Sequence, residues 1–497
     1  MARVFYPREQ LAPASSTFHL LPFTFTRFDG KELLVNEAGE FLLAPRGTVA
    51  QLADERFDTG SDLYHDLKAK HFLYDDASSP LLDVLAAKIR TKYDHMMGGT
   101  KLHIFVVTLR CDHSCEYCQV SRQTEARGEF DMTPATADRA LAMMMDSPAR
   151  DLTLEIQGGE PLVAFDLIQY LIPRAKALAR ERGKNLDLVV CTNLSRVTDD
   201  ILLYFRDEGV KVSTSLDGPA FLHNKNRPRP GGNSYEKAIE GIERSRVILG
   251  RENVAALMTT TAASLDYPVE IVDEYVRRDF HSIFLRPISP YGFAVKTRHR
   301  TGYEMDRFLA FYKKALAHIL DVNRKGYRLA EVYTQILLTK ILTPHSTRYV
   351  DMQSPAGEAW NVLVYNYDGD VYASDESRML AEMHDRTFRL GNVHKDTRRT
   401  IFTSDAALRM FQASCNQALA GCSDCAFRTY CAADPVYHHA TQGDMYGSRP
   451  TSGLCARNME VFKHLFSLIE ENDPDTMRML WSWIVGEYAP SEAIPCA

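Results

Sequence analysis

Three cysteines stand within eight residues, in Cys111-Asp112-His113-Ser114-Cys115-Glu116-Tyr117-Cys118, directly after an apolar run, Leu102 to Leu109, that reads as a strand. Gaps of three residues and then two let one loop wrap a cubane and ligate three of its four irons. The fourth iron is left open. An open iron on a thiolate-held 4Fe–4S cluster can bind and reduce a small molecule, which is chemistry rather than packing. Zinc is the competing occupant; it asks for four ligands, and His113 offers the missing donor.

A second group of thiols lies far downstream, as Cys422-x2-Cys425-x5-Cys431 with Cys455 beyond it. The ten cysteines are completed by Cys191, Cys415 and Cys496, with none between Cys191 and Cys415. In a reducing compartment such a distribution is not a disulfide framework but points to two metal centres. A four-cysteine zinc site satisfies the second spacing as well as a cluster does. Cys191 falls inside a strand and reads as a small core residue. Cys415 is a substitute ligand by proximity only, and Cys496 is expected to be inert near a frayed end.

These residues need a frame to hold them. The chain has 497 residues, 45% apolar and 25% charged, enough for two to four domains with their own cores. Its net charge of −7 gives no reason to expect non-specific nucleic-acid binding. No apolar run approaches the roughly 20 residues that span a bilayer, and Met1 to Gln10 lack the apolar centre of a secretory signal, so a cytoplasmic protein is expected.

From Leu102 the pattern alternates strand and helix. Strands are expected at 102–109, 151–157, 186–192, 211–216, 254–261 and 282–287, with helices at 134–146, 165–182, 198–208, 234–249 and 268–278. Thr133 as N-cap and Pro134 at N1 mark the first helix start. Such alternation implies parallel strands with right-handed crossovers, and six units fall short of the eight of a closed barrel. The fold class is therefore α/β, a partial (β/α)6 TIM-like barrel. Around it a small N-terminal α+β module occupies 1–76, with a hairpin at Phe23–Phe28, Leu33–Val35 and Phe41–Leu43, and a helical connector occupies 77–100. The core runs 101–345, with helices at 303–324 and 328–342. A cysteine-rich domain at 346–460 opens on a hairpin, 360–374, turning at Asp368-Gly369, and C-terminal helices and a loose tail occupy 461–497.

Polar groups recur at the carboxyl ends of the strands, where barrels build active sites. The second strand ends in Gln157-Gly158-Gly159-Glu160-Pro161, the third in Thr192-Asn193, and the fourth in Ser213-Thr214-Ser215-Leu216-Asp217-Gly218, followed by His223 and Asn226-Arg227-Pro228. The glycine pair allows close backbone approach by a ligand, or is simply a tight turn.

Over about residues 100–290 the order and spacing resemble the radical S-adenosylmethionine (SAM) enzymes. Their three-cysteine signature, with an aromatic before the last, is met by Cys111, Cys115, Tyr117 and Cys118. Gly158, Gly159, Glu160 and Pro161 match the motif that receives the SAM amino group, and Ser213, Ser215 and Asp217 the strand that meets its ribose and carboxylate; Asn193 ends the strand between them. The resemblance implies a cluster that chelates SAM through its open iron and, given one electron from a donor such as flavodoxin or ferredoxin, yields a 5′-deoxyadenosyl radical that abstracts substrate hydrogen. Tyr117 then either packs near the adenine or plugs the space beside the cluster, and Arg286 either meets SAM or is structural.

The second cysteine group resembles the SPASM domain of radical SAM enzymes that modify peptides. Ser354, Ser374 (four residues beyond Gly369) and Asp434 (three beyond Cys431) stand where the resemblance expects further cysteines. The implied outcome is one auxiliary 4Fe–4S cluster on Cys422, Cys425, Cys431 and Cys455, and loss of the auxiliary cluster nearer the active site. Asp375 matches a position where some relatives place a base; an exposed turn carboxylate is the competing reading. The N-terminal module resembles a peptide-recognition domain that adds a leader as a strand to its sheet edge; otherwise it caps the barrel. Thr108-Leu109-Arg110, Gln119-Val120-Ser121-Arg122 and Leu33 to Gly39 most resemble the B-type maturase of His-Xaa-Ser systems, which implies a ribosomally made precursor as substrate and a second radical SAM protein as partner. Formylglycine formation on a sulfatase and non-catalytic binding of a precursor are the alternatives.

Overall fold

Apolar residues alternating along short strands, separated by capped amphipathic helices, assemble here into one nine-stranded sheet. In a computed structural model of the chain the described residues are 18–54, 56–75, 79–125, 129–347, 349–355 and 357–486. Met1–Gln10, the boundary at Asp76, and the end from Ala489 with Cys496 lie outside them. Leu102–Thr108, Asp151–Gly158, Asn185–Cys191, Val210–Ser215, Val254–Thr260 and Leu285–Pro287 lie side by side in sequence order, all parallel. The helices between them begin where their caps stand. Thr133 accepts from the Thr136 amide ahead of Pro134–Met145, and Thr198 opens Asp199–Glu208, which Gly209 closes at φ 69°.

Alternation divides the sheet into two faces. Leu154, Ile156, Val190 and Val212 pack under the helices in the main core, each such burial contributing about 1.5–3 kcal/mol. The next residues along the strands, Glu155, Gln157, Cys191, Ser213 and Ser215, face the other way, into the barrel. At the first strand the inner face is apolar, and there Ile104 and Val106 join Val362, Val364 and Tyr372.

That contact marks the main departure from a six-stranded core. Val362–Tyr365 pairs parallel with the first barrel strand, and Asp370–Tyr372 and Arg389–Asn392 continue the sheet antiparallel. The hairpin at Asp368-Gly369 forms as its sequence predicts, with Gly369 at φ 83°, but its first strand belongs to the barrel sheet. His103, completely buried, joins the two parts through Nδ1 to the Tyr365 hydroxyl at 3.0 Å and Nε2 to the Thr100 carbonyl at 3.3 Å. Burial lowers its pKa to about 3. The sixth strand is broken at Phe284: Ser282–Ile283 pairs with Ala330–Glu331, and Leu285–Pro287 with the fifth strand.

Phe23–Phe28, Lys31–Asn36 and Phe41–Pro45 form a three-stranded meander with its own small core of Leu34, Leu52, Tyr64, Leu67 and Phe72. It docks on the cysteine-rich segment. The Tyr430 hydroxyl donates to the Gly39 carbonyl at 2.8 Å, Arg428 pairs with Glu37, and Phe41 meets Phe466 edge-on at 5.1 Å. Helices Gly453–Glu471 and Pro474–Val485 close the chain's described part, with Trp483 fully buried. No helix among the described residues is long and apolar enough to cross a membrane.

Candidate active site

The loop of Cys111 to Cys118 is anchored before it begins. Arg110 Nε and Nη2 donate to the two oxygens of Asp131 at 2.7 and 2.6 Å, a bidentate pair, and Thr108 Oγ1 donates to the same carboxylate at 2.6 Å. The Cys111 amide then donates to the Gln123 carbonyl at 3.2 Å, so both arms of the loop are held together.

Within the loop, Cys111, Asp112 and His113 are three potential ligands within 4.8 Å of one another. Two of the three are already spent. Asp112 Oδ1 accepts from Asn193 Nδ2 at 3.0 Å and faces His113 Nδ1 at 2.8 Å, while Oδ2 accepts from Ser195 Oγ at 2.6 Å. His113 Nε2 meets Ser234 Oγ at 2.9 Å, which also meets His223 Nε2 at 3.1 Å. These side chains brace the loop; a zinc site using His113 would have to break that network. The cysteine thiols remain as the donor set. Burial pushes the Cys115 thiol up to about 11 and raises Cys111 as well.

The glycine pair is required by the protein itself. A Cβ on Gly158, which sits at φ 156°, would lie 2.0 Å from the Thr108 carbonyl oxygen, and one on Gly159 would lie 2.4 Å from that of Arg110. The second strand end therefore rests directly on the root of the cysteine loop, its contact sealed by Glu160 N donating to Arg110 O at 2.8 Å. Glu160 is completely buried, accepting from Leu162 N, Thr192 Oγ1 and Asn193 N at 3.0, 2.6 and 2.7 Å. Burial outweighs these bonds and lifts its pKa to about 7. It ties the second strand end to the third, with Pro161 starting the next short helix.

Tyr117 ties the loop to the fourth strand. Its hydroxyl donates to Asp217 Oδ2 at 2.8 Å and accepts from Arg227 Nη1 at 2.6 Å, and Asp217 Oδ1 accepts from Thr259 N at 3.3 Å. Tyr117 is thus anchored through its hydroxyl beside the cysteines, and Asp217, fully buried, is engaged with protein donors. Ser213 and Ser215 are the half-buried hydroxyls left facing the barrel.

Sequence reasoning overlooked the residues around those serines. The Cys191 thiol hydrogen-bonds Glu155 and Ser213, so it belongs to a polar barrel lining rather than to the apolar core, and burial raises both Glu155 and Cys191. The alternation that placed Leu154 and Ile156 in the core also placed Glu155 opposite them, which was the available signal. Arg286 approaches Glu376 at 3.4 Å. Asp375 is not an exposed turn carboxylate. It opens the helix Asp375–Ala381, capped by Ser374, and accepts from the fully buried Arg378 at 3.2 Å.

Cys422, Cys425, Cys431 and Cys455 gather within the cysteine-rich segment. Burial and the other three thiols push Cys425 up to about 12, and burial with Cys431 and Cys422 pushes Cys455 up to about 11. Arg449 Nε donates to Cys422 Sγ at 3.0 Å and Asn458 Nδ2 to Cys431 Sγ at 3.3 Å. Cys415 turns instead to Gln417 Oε1 at 3.5 Å. Ser354 accepts from Asn416 N and donates to the Ser414 carbonyl, both at 2.9 Å.

Residues 105–283 match the family described as the Radical SAM superfamily, and the chain has the radical SAM α/β fold there. That family binds a 4Fe–4S cluster and SAM. The serine-type anaerobic sulfatase-maturating enzyme of Bacteroides thetaiotaomicron is 21% identical over 377 residues, 71% of this chain and 86% of that protein. An uncharacterized protein of Methanocaldococcus jannaschii is 25% identical over 182 residues, and the match spans 37% of this chain and 59% of that protein. Among solved structures, anSMEcpe with bound AdoMet and Cp18Cys peptide superposes with a TM-score of 0.61 at 16% identity, covering 77% of this chain and 99% of that one. Streptococcus suis SuiB bound to precursor peptide SuiA gives 0.52 at 13% identity, covering 88% and 100%.

Proposed function

We propose that this chain is a cytoplasmic radical SAM maturase that modifies a ribosomally made peptide or protein, of the His-Xaa-Ser type, with a second radical SAM protein as partner and flavodoxin or ferredoxin as electron donor. The observation that carries the reading is one loop with three thiols, pinned to the ends of four strands over a polar barrel interior. Cys111, Cys115 and Cys118 would hold the cluster. When bound, cluster and SAM supply a carbon-centred radical by one-electron reduction. The chain's own part is to orient and to exclude water. Arg110–Asp131, Asp112–Asn193 and Tyr117–Asp217 fix the thiols, while Ser213, Ser215 and the Gly158-Gly159-Glu160-Pro161 turn line the space beside them.

At the second group the donors fit one closed auxiliary 4Fe–4S cluster. Zinc with thiolate bonds near 2.3 Å needs sulfurs about 3.8 Å apart. The four thiols lie near enough to raise one another's pKa, and four-cysteine zinc remains the competing occupant. Similarity to sulfatase maturases and the placement of Asp375 beside the barrel support formylglycine formation as a second reading; serine at 354 and 374 speaks against it.

Anaerobic reconstitution, reduction and addition of SAM tests the proposal. The expected product is 5′-deoxyadenosine, with a mass change in the co-expressed precursor peptide. Absence of SAM cleavage by protein with an intact, reducible first cluster would sink it.

A further inference from the structure

We propose that the cavity between the sixth barrel strand and the cysteine-rich segment receives a cationic side chain of the peptide substrate, held by Glu376, Asp434 and Tyr291. The inference rests on the peptide reading above and gives that peptide a chemical class. The cavity measures about 520 Å³ and is walled by Arg286, Tyr291, Tyr349, Glu376, Asp434 and Tyr437. That volume suits a side chain with its flanking backbone.

The cavity adjoins the cysteine loop. Gly292, next to Tyr291, lies so close to Cys118 that an added Cβ would be 2.8 Å from its carbonyl oxygen, and Phe293 N donates to that oxygen at 2.8 Å. One wall of the cavity is thus the segment seated on the last cysteine. The lining also includes Glu376, immediately after Asp375.

Carboxyl groups outnumber cationic ones in the cavity. Glu304, Asp351, Glu376 and Asp434 line it against Arg286, Arg298 and Arg457, and Glu358 stands behind, close enough to feel three of those acids. Some of this charge is already engaged. Arg286 faces Glu376 at 3.4 Å, Asp351 accepts from the Tyr349 hydroxyl at 2.7 Å, and Asp434 accepts from the Tyr437 amide at 2.7 Å. Two groups are left over. Glu358 Oε2 is buried without a hydrogen-bond partner, and so is the Tyr291 hydroxyl on a side chain only 1% exposed. A buried polar atom without a partner costs about 1–3 kcal/mol, so a donor-rich ligand is rewarded here.

An ammonium or guanidinium group supplies donors only, which the carboxylates accept, and tyrosine faces attract the same charge. An anionic group would oppose ionisation of these carboxyls, whereas a cation favours it. Burial, followed by the neighbouring carboxylates, lifts Glu376 to about 8 and, with Asp351 the nearest acid, Asp434 to about 6, so without a ligand Glu376 keeps its proton at neutrality while Asp434 gives up its own from about pH 6 upward. Asp351, Asp375, Asp434 and Arg286 surround Glu376, and Asp351 and Arg457 face Asp434. A cation displaces those protons, which makes its binding tighter as pH rises.

The test uses the full chain, purified anaerobically, and calorimetric titration with Gly-Gly-Xaa-Gly-Gly pentapeptides in which Xaa is Lys, Arg, Leu or Glu. The Lys or Arg peptide is expected to bind roughly tenfold tighter than Leu, as charge-assisted hydrogen bonds require, with Glu weakest. The preference should grow from pH 6 to pH 8, a comparison that needs no variant, and collapse in Glu376→Gln and Asp434→Asn. Equal affinity for Lys and Leu, no binding of either basic peptide, or a preference unchanged in both variants would overturn the inference. SAM cleavage measured in parallel keeps the two readings apart. Cleavage without the preference overturns this inference alone, whereas the preference without cleavage supports it and tells against radical chemistry.

Discussion

The two cysteine sites use the same ligand atom in opposite settings. The first offers three thiols on a loop that hangs from a strand end over a polar cavity, and nearly every polar side chain around it is spent on holding the loop still. The second offers four thiols gathered in the cysteine-rich segment, where Arg449 and Asn458 donate directly to sulfur. Beside it Lys92 and Lys340 are buried, pulled down by that burial to about 7 and about 8. Buried ammonium groups suit an anionic centre that stays closed. The difference teaches that ligand count and surroundings, rather than ligand type, separate a reactive centre from a redox or structural one.

The comparison breaks most sharply at Cys115. Cys115→Ala should abolish SAM cleavage, measured as 5′-deoxyadenosine, while the second cluster survives. Cys425→Ala should lower iron and sulfide from about eight to about four per chain, retain much of the SAM cleavage and lose peptide modification, read by mass spectrometry. Equal, complete loss of both activities in that variant, with the first cluster intact, would contradict the division of roles.

Smaller effects probe the scaffold. Asp217→Ala strips Tyr117 and Arg227 of their buried partner, and urea unfolding should show a loss of about 3–5 kcal/mol. His103 gives a pH signature at the joint between barrel and C-terminal strands. Its folded pKa, about 3, lies below the unfolded value near 6.5, so the unfolded chain binds more protons between them. Stability therefore falls as pH drops through that window, by about 2 kcal/mol at pH 5 from this residue. The His103→Gln variant should lose that part of the slope.

Much of the barrel was legible in the sequence because its signals are local. Thr133-Pro134 starts a helix and Gly209 ends one whatever surrounds them, and alternation marks which strand residues reach the core. The joining of Val362–Tyr365 to the first barrel strand was not legible, since pairing between segments about 260 residues apart leaves no local pattern. The cysteines announced themselves by spacing. Their bracing did not: Asp112, Asn193 and Ser195 meet only after three strands align, and nothing in a single loop distinguishes such residues from solvated ones. Asp375 was misjudged for a similar reason, because its partner Arg378 becomes buried only when the helix docks.

The central claim is that only the first cluster has an iron free for SAM. Electron paramagnetic resonance of reduced Cys425→Ala and Cys115→Ala proteins, each with and without SAM, tests it most directly. SAM should shift the cluster signal in Cys425→Ala and leave that of Cys115→Ala unchanged. A SAM-dependent shift confined to the Cys115→Ala protein would contradict the account.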